Sequence, residues 1–366
     1  MEKKILLLID NLGAGGAQRQ LVGLANMLKD KKKQVQVVVY QDIPFYLPFL
    51  QENDVDYKFL KAAQNKYLRL YHVYKAIRRY GPMWVIAYLD TPCIIACLCK
   101  LLGLNFKLLV SERNTSQKLS LREKIKFSLY KVADAIIPNS YSQEEFIYRH
   151  YPLLKDKMTV IPNFVDIEYF KKDGLRKRKG IPEILIIATI WQSKNTLGFI
   201  DAVKILKDRD IKCRLKWFGK IEAYQRYISK CELKIREYQL EDYIKLYNKT
   251  ENIKEMYLGA DYFCLPSFYE GTPNVICEAI SCGLPVACSN VCDNERYVQT
   301  GINGFLFDPN NPEDIAEKIL SLISLTDNEY LKMSENSRKI AETYLSESRF
   351  IHSYISVISN NNRIVK

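Results

Sequence analysis

A chain of 366 residues with 48% hydrophobic and 26% charged residues has the balance of a folded enzyme, which excludes a disordered or fibrous chain. At roughly 100 to 200 residues per domain, two domains are expected. Lys plus Arg number 54 against 42 Asp plus Glu, and the formal charge of +12 suggests a polyanionic neighbour without saying which.

In chain order, the apolar run 5–9 follows Lys3 and Lys4 and is ended by Asp10. It is too short for the ~7 to 15 apolar residues of a secretory signal and predicts a first buried strand. A loop with Gly13, Gly15 and Gly16 follows, then an amphipathic helix over Ala17 to Leu28. Further strands are predicted at 35–40, 84–89, 107–111, 135–140 and 158–163. The apolar stretch Thr91 to Leu104 contains Lys100 and falls short of the ~20 residues that span a bilayer. No membrane-crossing segment is expected. The pattern restarts with strands at 183–189, 213–219, 243–248, 261–267, 284–289 and 304–309, and a last helix over about 346–359. Short apolar runs alternating with helical patterns are the mark of α/β units with parallel sheets.

The expected domains are therefore 1–170 and 183–345, joined by a basic linker at 171–182 and followed by a crossover helix and tail at 346–366. In the linker Gly174 and Gly180 break periodicity and Pro182 follows. Charge divides unevenly: net +9 over 1–170, +5 over 171–180 and −2 over 181–366. Between Lys61 and Tyr80, six basic residues and no acid are interleaved with Tyr67, Tyr71, Tyr74 and Tyr80, which suits a lipid headgroup interface or a solvated helix face. Lys118 to Lys131, with Arg122, Lys124 and Lys126 opposing Leu121, Ile125 and Leu129, is a second such segment.

Ten cysteines in a long chain without an export signal are expected to be reduced, cytoplasmic and mostly buried. Cys93, Cys97 and Cys99 lack a fourth ligand and a turn between ligand pairs, so no metal is expected there. His72, His150 and His352 are far apart and read as surface or packing residues. The glycine loop is not a dinucleotide fingerprint: counting from Gly13, the place of the third glycine is held by Gln18.

The most constrained stretch is 266–289. Thr272 can cap a helix, Pro273 suits its first position, Gly283 suits a left-handed stop and Pro285 opens the next strand, so a helix is predicted over about 273–282. Its amino end follows a strand, where an α/β protein holds a phosphate or sugar hydroxyls. Glu270 lies in the loop before it and Glu278 inside it, so the two carboxylates suggest two separate hydroxyl-rich contacts. The plainer alternative makes Glu270 a cap and Glu278 a surface residue.

Glu270 and Glu278 within this stretch, followed by Gly283 to Ala287, resemble the signature of family 4 glycosyltransferases of the bacterial surface-polysaccharide type. The loop and helix at 12–28, the segment 160–170 and the segment 300–319 resemble further family motifs in the same order. The resemblance implies the GT-B fold: two Rossmann-like parallel-sheet domains facing across a cleft, with a C-terminal helix crossing back to the first. It implies that Glu278 holds the nucleotide ribose, and that Glu270, Gly271, Thr272, Pro273, Asn274 and Val275 hold the donor sugar. Lys194 matches the family lysine facing the donor diphosphate, where a cation offsets charge developing on the leaving group; on its own it would read as a surface lysine at a helix start. Gly15 and Gly16 are the implied backbone approach to the donor phosphates. Glu270 and Lys194 are the implied catalytic pair, and no metal or cofactor is implied.

Four departures stand out. Thr189 replaces a family arginine, leaving a diphosphate contact to another residue such as Arg19 or Arg113; Phe164 replaces a glycine; Gln18 replaces a glutamate. Where the family often has histidine, this chain has Glu112, Arg113 and Asn114. Glu112 is the candidate to accept the acceptor's proton, and Arg113 to steady phosphate.

The expected function is a retaining, metal-independent hexosyltransferase. It would move a sugar from a nucleotide diphosphate donor, with uridine the expected base, to a glycan hydroxyl on a polyprenyl-diphosphate carrier in O-antigen or capsule assembly. The basic first domain implies an anionic membrane surface as partner and a peripheral place on the cytoplasmic face of the inner membrane. An epimerase or phosphorylase of the same fold is the alternative. Nucleic acid is not expected as a partner, because no recognition motif accompanies the charge.

Overall fold

The computed structural model describes residues 4–174, 178, 180–220 and 224–360. The chain divides into two compact units, Met1–Phe164 with Glu347–Lys366, and Val165–Ser346. The boundary expected after 170 falls inside the second unit. There Val165 donates to Leu345 O at 3.0 Å, and Phe170 is buried against Tyr257 at a ring separation of 5.8 Å. Of the expected linker and tail, 175–177, 179 and 361–366 lie outside the described residues. Arg178 is described, and its charge is used within the second unit: it pairs with Asp327 and donates to Leu325 O at 2.7 Å.

The first unit is a six-stranded sheet in the order β3-β2-β1-β4-β5-β6. Its strands are β1 (Ile5–Leu8), β2 (Val35–Val39), β3 (Asp56–Phe59), β4 (Trp84–Tyr88), β5 (Lys107–Glu112) and β6 (Ala135–Pro138). Every pairing is parallel. Continuous apolar runs such as Ile5–Leu8 are buried on both faces, as a parallel sheet between helical layers requires. The helix Glu347–Asn360 belongs to this unit, where Phe350, Ile351, Tyr354 and Ile358 join the core. The Phe350 ring meets Phe164 at 4.9 Å. That contact explains the departure at Phe164: its ring fills the space over Gly23, where a Cβ would lie 2.2 Å from it.

Two strand expectations change. Residues 158–163 form no strand: Met158 makes an isolated bridge to Ile136, and only Thr159 and Ile161 continue, donating to Ile136 O and Pro138 O. The sixth strand is instead β3, whose sequence carries no apolar run because it is a partly exposed edge.

The second unit is also a six-stranded parallel sheet, ordered β12-β11-β10-β7-β8-β9. Its strands are β7 (Glu183–Ile187), β8 (Arg214–Phe218), β9 (Ile244–Tyr247), β10 (Tyr262–Leu265), β11 (Val286–Ser289) and β12 (Gly304–Phe307), matching the six predicted runs. Neighbours are parallel throughout. Gly219, just after β8, is required by close approach, since a Cβ there would lie 2.1 Å from Ala188 O. All ten cysteines are free and nine are buried. Burial pushes the thiols of Cys97, Cys99, Cys213 and Cys231 up to about 12, which keeps them protonated at neutral pH. Among the described residues no helix is long and apolar enough to cross a membrane, and no group of three His, Cys, Asp or Glu side chains is placed to hold a metal ion.

Candidate active site

In an open parallel sheet, ligands bind beyond the carboxyl ends of strands where neighbouring connections run in opposite directions. In the second unit that point lies between β7 and β10, which pair in the sheet while the chain continues to β8 on one side and β11 on the other. Lys194 closes a short 3-10 turn, Gln192–Lys194, after β7; Glu270 lies in the loop after β10. Lys194 Nζ donates to Glu270 Oε1 at 2.6 Å, and Phe268 N to Ser193 O at 3.0 Å, so two side chains 76 residues apart meet at this point. The turn is followed by Asn195, which is left-handed with φ 56° and donates to Pro309 O at 2.6 Å. Asparagine tolerates that conformation better than most residues.

After Glu270 the loop runs through Gly271, buried Thr272 and buried Pro273 into the helix Asn274–Ser281. Pro273 takes the cap position, one residue later than the cap expected at Thr272, and no side chain caps the helix, so Thr272 does not have the capping role predicted for it. Ile276 and Cys277 both donate to Pro273 O. The positive end of the helix dipole thus starts four residues after Glu270, with Asn274 and Val275 in its first turn. The stop is as predicted: Gly283 has φ 70°.

Glu278 is 3% exposed, which removes its reading as a surface residue. A buried carboxylate needs donors, and Tyr257 Oη supplies one to Glu278 Oε2 at 2.9 Å. Tyr257 comes from the helix Ile253–Gly259, and nothing in the local spacing marked it. Ser267 Oγ, just after β10, is buried without a hydrogen-bond partner. Phe268 and Tyr269 are exposed beside it, and Phe268 lines a pocket of about 500 Å³ with Leu306, Phe307, Asp308 and Asn310. A groove of about 550 Å³ lined by Lys212, Arg214, Lys216, Asp242 and Tyr243 lies toward the other ends of β8 and β9, and none of the candidate residues lines it.

The first unit has its own switch point between β1 and β4. The loop after β1 is braced by Asn11, whose Oδ1 accepts from Gly13 N at 2.8 Å and Gln18 Nε2 at 3.2 Å, and whose Nδ2 donates to Gln41 Oε1 at 2.9 Å. Gln18, the departure from the family glutamate, therefore holds the loop. Gly15 is extended (φ −130°) and precedes the helix Gly16–Asp30; the space a Cβ would need there is taken by the Gln18 amide. Arg19 lies in the first turn of that helix, its amide bonded to Gly15 O at 3.0 Å. After β4, Leu89 has φ 73° and ψ 161°, a region nearly reserved for glycine that costs about 1–3 kcal/mol.

Glu112 is placed differently from its expectation. It is 1% exposed, and its oxygens accept from Lys126 Nζ at 2.7 Å, from Tyr130 Oη, and from Gln143 Nε2 at 3.4 Å. Lys126 also pairs with Asp90 at 3.0 Å. Burial raises the Glu112 carboxyl above its ordinary range, opposed by Lys126. So enclosed, it is a core ion pair and not a group that meets an acceptor hydroxyl. Arg113 donates to Ser111 Oγ (2.8 Å), Asn163 Oδ1 (2.8 Å), Tyr88 Oη (3.0 Å) and Tyr354 Oη, and lies 4.5 Å over the Tyr88 ring. It ties the last helix to the sheet. Asn114 is exposed beside it.

Two α/β units of this kind in one chain match the GT-B architecture of the glycosyltransferase structures that superpose on it. The structure of a glycosyltransferase from Rickettsia africae superposes with a TM-score of 0.85 at 18% identity, covering 99% of both chains. That of Anabaena HepE in complex with UDP and glucose does so at 0.84 and 17% identity, covering 98% of this chain and 100% of that one. The model "Glycosyltransferase Family 4" matches residues 14–169 and "Glycosyl transferases group 1" matches 168–340. The chain belongs to the family 4, group 1 glycosyltransferases. It is 26% identical over 309 residues (79% of this chain, 81% of the relative) to the N-acetylgalactosamine-N,N'-diacetylbacillosaminyl-diphospho-undecaprenol 4-alpha-N-acetylgalactosaminyltransferase of Campylobacter jejuni. Over 196 residues, half of this chain and 49% of the relative, it is 31% identical to the UDP-Gal:alpha-D-GlcNAc-diphosphoundecaprenol alpha-1,3-galactosyltransferase of Escherichia coli.

Proposed function

We propose that this glycosyltransferase moves a hexose from a UDP-sugar to a hydroxyl of a glycan carried on polyprenyl diphosphate, with retention and without a protein-bound metal, in surface polysaccharide assembly of the O-antigen or capsule kind. The observation that carries the reading is the Lys194–Glu270 pair at the β7/β10 switch point, followed within one helix by buried Glu278. Lys194 offsets charge on the departing diphosphate, Glu270 and the amides from Gly271 to Val275 hold the sugar, and Glu278 holds the ribose. The leaving phosphate accepts the acceptor proton, so a core-bound Glu112 is no obstacle. The acceptor class is supported by the two relatives whose names specify diphospho-undecaprenol substrates, and UDP by HepE.

The chain then works at the cytoplasmic face of a membrane through its first unit. Exposed Tyr67, Leu68 and Tyr71 lie beside Lys66 and Lys75, whose ammonium groups sit 5.0 Å from the Tyr67 and Tyr71 rings. Exposed Leu121 and Ile125 sit one turn apart on a basic helix.

The test is incubation of the protein with a panel of UDP- and GDP-sugars and short polyprenyl-diphosphate-linked mono- and disaccharides, with products read by mass spectrometry and the new anomeric centre by NMR, with and without EDTA. One α-linked hexose added from a UDP-α-sugar, unaffected by EDTA, is expected. Conversion of the sugar nucleotide without acceptor, or turnover that requires inorganic phosphate, would put the epimerase or phosphorylase in its place.

A further inference from the structure

We infer that Tyr257 is the residue that positions Glu278 for the nucleotide ribose, an inference that rests on the donor-site reading above. Tyr257 is fully buried, and its hydroxyl lies 2.9 Å from Glu278 Oε2 and 3.2 Å from Val275 O, so one side chain spans both the ribose carboxylate and the first turn of the helix that holds the sugar. A phenol has one proton, and it goes to the carboxylate: that bond is shorter and charge-assisted. The ring is fixed in turn, meeting Phe170 edge-on at 5.8 Å and Phe263 of β10 at 5.7 Å. Glu278 has three side-chain torsions, so an unbraced carboxylate would have to be ordered when nucleotide binds. Tyr257 orders it beforehand, and that preorganisation reappears as affinity. It touches no reacting atom and acts through Glu278.

The effect should therefore belong to the ribose hydroxyls alone. UDP, GDP and ADP are titrated calorimetrically into the wild-type chain, and the one that binds is compared with its 2′,3′-dideoxy counterpart in wild type, Tyr257→Phe, Glu278→Gln and the double variant. Phenylalanine keeps the ring packing, and thermal unfolding of each variant reports whether the unit is intact. Tyr257→Phe should weaken the natural nucleotide about 5- to 20-fold, leave the dideoxy nucleotide unchanged, and add nothing to Glu278→Gln. Equal weakening of both nucleotides, full additivity with Glu278→Gln, or no weakening at all would overturn the positioning role while leaving the donor site in place. Absence of nucleoside diphosphate binding to the wild-type chain would overturn the donor site itself, and the inference with it.

Discussion

Lys194 and Glu270 meet at 2.6 Å where the connections after the paired strands β7 and β10 part, with 23% and 13% of their side chains exposed. A pair this open to water contributes at most about 1 kcal/mol to folding. On the proposed donor site its use is positional: the carboxylate would hold the ammonium where an incoming diphosphate takes it over. Lys194→Ala is expected to lower kcat/KM for sugar transfer by roughly 100- to 1,000-fold, the usual consequence of losing one group that stabilises transition-state charge. Its melting temperature should stay within about 2 °C of wild type, by calorimetry. A large fall in melting temperature with turnover intact would make the pair structural.

Glu278→Ala should weaken nucleoside diphosphate binding by about 1.5–3 kcal/mol, the worth of hydrogen bonds to a charged group. The same change empties a buried site and leaves Tyr257 Oη without its carboxylate, so some loss of stability accompanies it. Isothermal titration at a temperature well below unfolding separates the two. Binding that ignores the substitution would remove Glu278 from the ribose.

What the sequence revealed followed chain locality. Runs buried on both faces of a parallel sheet read directly, and so did the loop and helix carrying Glu270 and Glu278, because capping, stop and charge all lie within two dozen residues. β3 stayed hidden since an edge strand reading Asp-Tyr-Lys-Phe has no apolar run. Residues 158–163 looked like a strand yet make one isolated bridge. Tyr257 belongs to another helix, 21 residues before Glu278. Glu112 was misplaced for the same reason: its partners Lys126, Tyr130 and Gln143 follow 14, 18 and 31 residues later, so nothing local shows that its oxygens are taken.

That buried cluster makes a stability prediction with opposite ends in pH. Burial raises the Glu112 carboxyl above 4.5, so the folded chain keeps a proton the unfolded chain has lost. Its contribution is present below the unfolded value and is lost as pH rises through the folded one. Lys126 is raised above 10.5: burial opposes the charge, but Glu112 and Asp90 outweigh it. Its contribution holds below 10.5 and is lost as pH climbs through the folded value. Urea unfolding across pH should show Glu112's own share of the acid-side slope missing in Glu112→Gln, with turnover per folded molecule kept. Lys126→Met, which strands a buried carboxylate, should cost about 3–5 kcal/mol. A loss of turnover in fully folded Glu112→Gln would restore the proton-acceptor reading.

Arg113 is held by neutral partners alone among its described hydrogen bonds: Ser111, Asn163, Tyr88 and Tyr354. It spans the sheet, the end of the first unit's main segment and the last helix. Arg113→Met should destabilise the first unit by about 2–4 kcal/mol, since several buried acceptors lose donors at once. Tyr88 and Tyr354, 2.7 Å apart, retain each other. Limited proteolysis should cut near residue 346 sooner in the variant. Unchanged stability with weaker donor binding would instead assign Arg113 to phosphate.

Membrane attachment is the prediction most open to direct measurement. Each Lys or Arg near an anionic leaflet contributes about 1 kcal/mol, and Leu121 and Ile125 offer apolar surface at about 25 cal/mol per Å² buried. Lys66→Ser with Lys75→Ser should therefore weaken binding to vesicles containing anionic phosphatidylglycerol about 30-fold in a sedimentation assay, and raising salt from 50 mM to 500 mM should do the same to wild type. Leu121→Ser with Ile125→Ser should weaken the binding that remains at high salt, because apolar insertion is not screened. Ile125 points to solvent while Lys126, the next residue, is buried against Glu112. The double substitution therefore leaves the helix anchored, and a loss of vesicle binding cannot be traced to unfolding. Binding that is indifferent to salt and to both double variants would mean that these two segments are solvated helix faces.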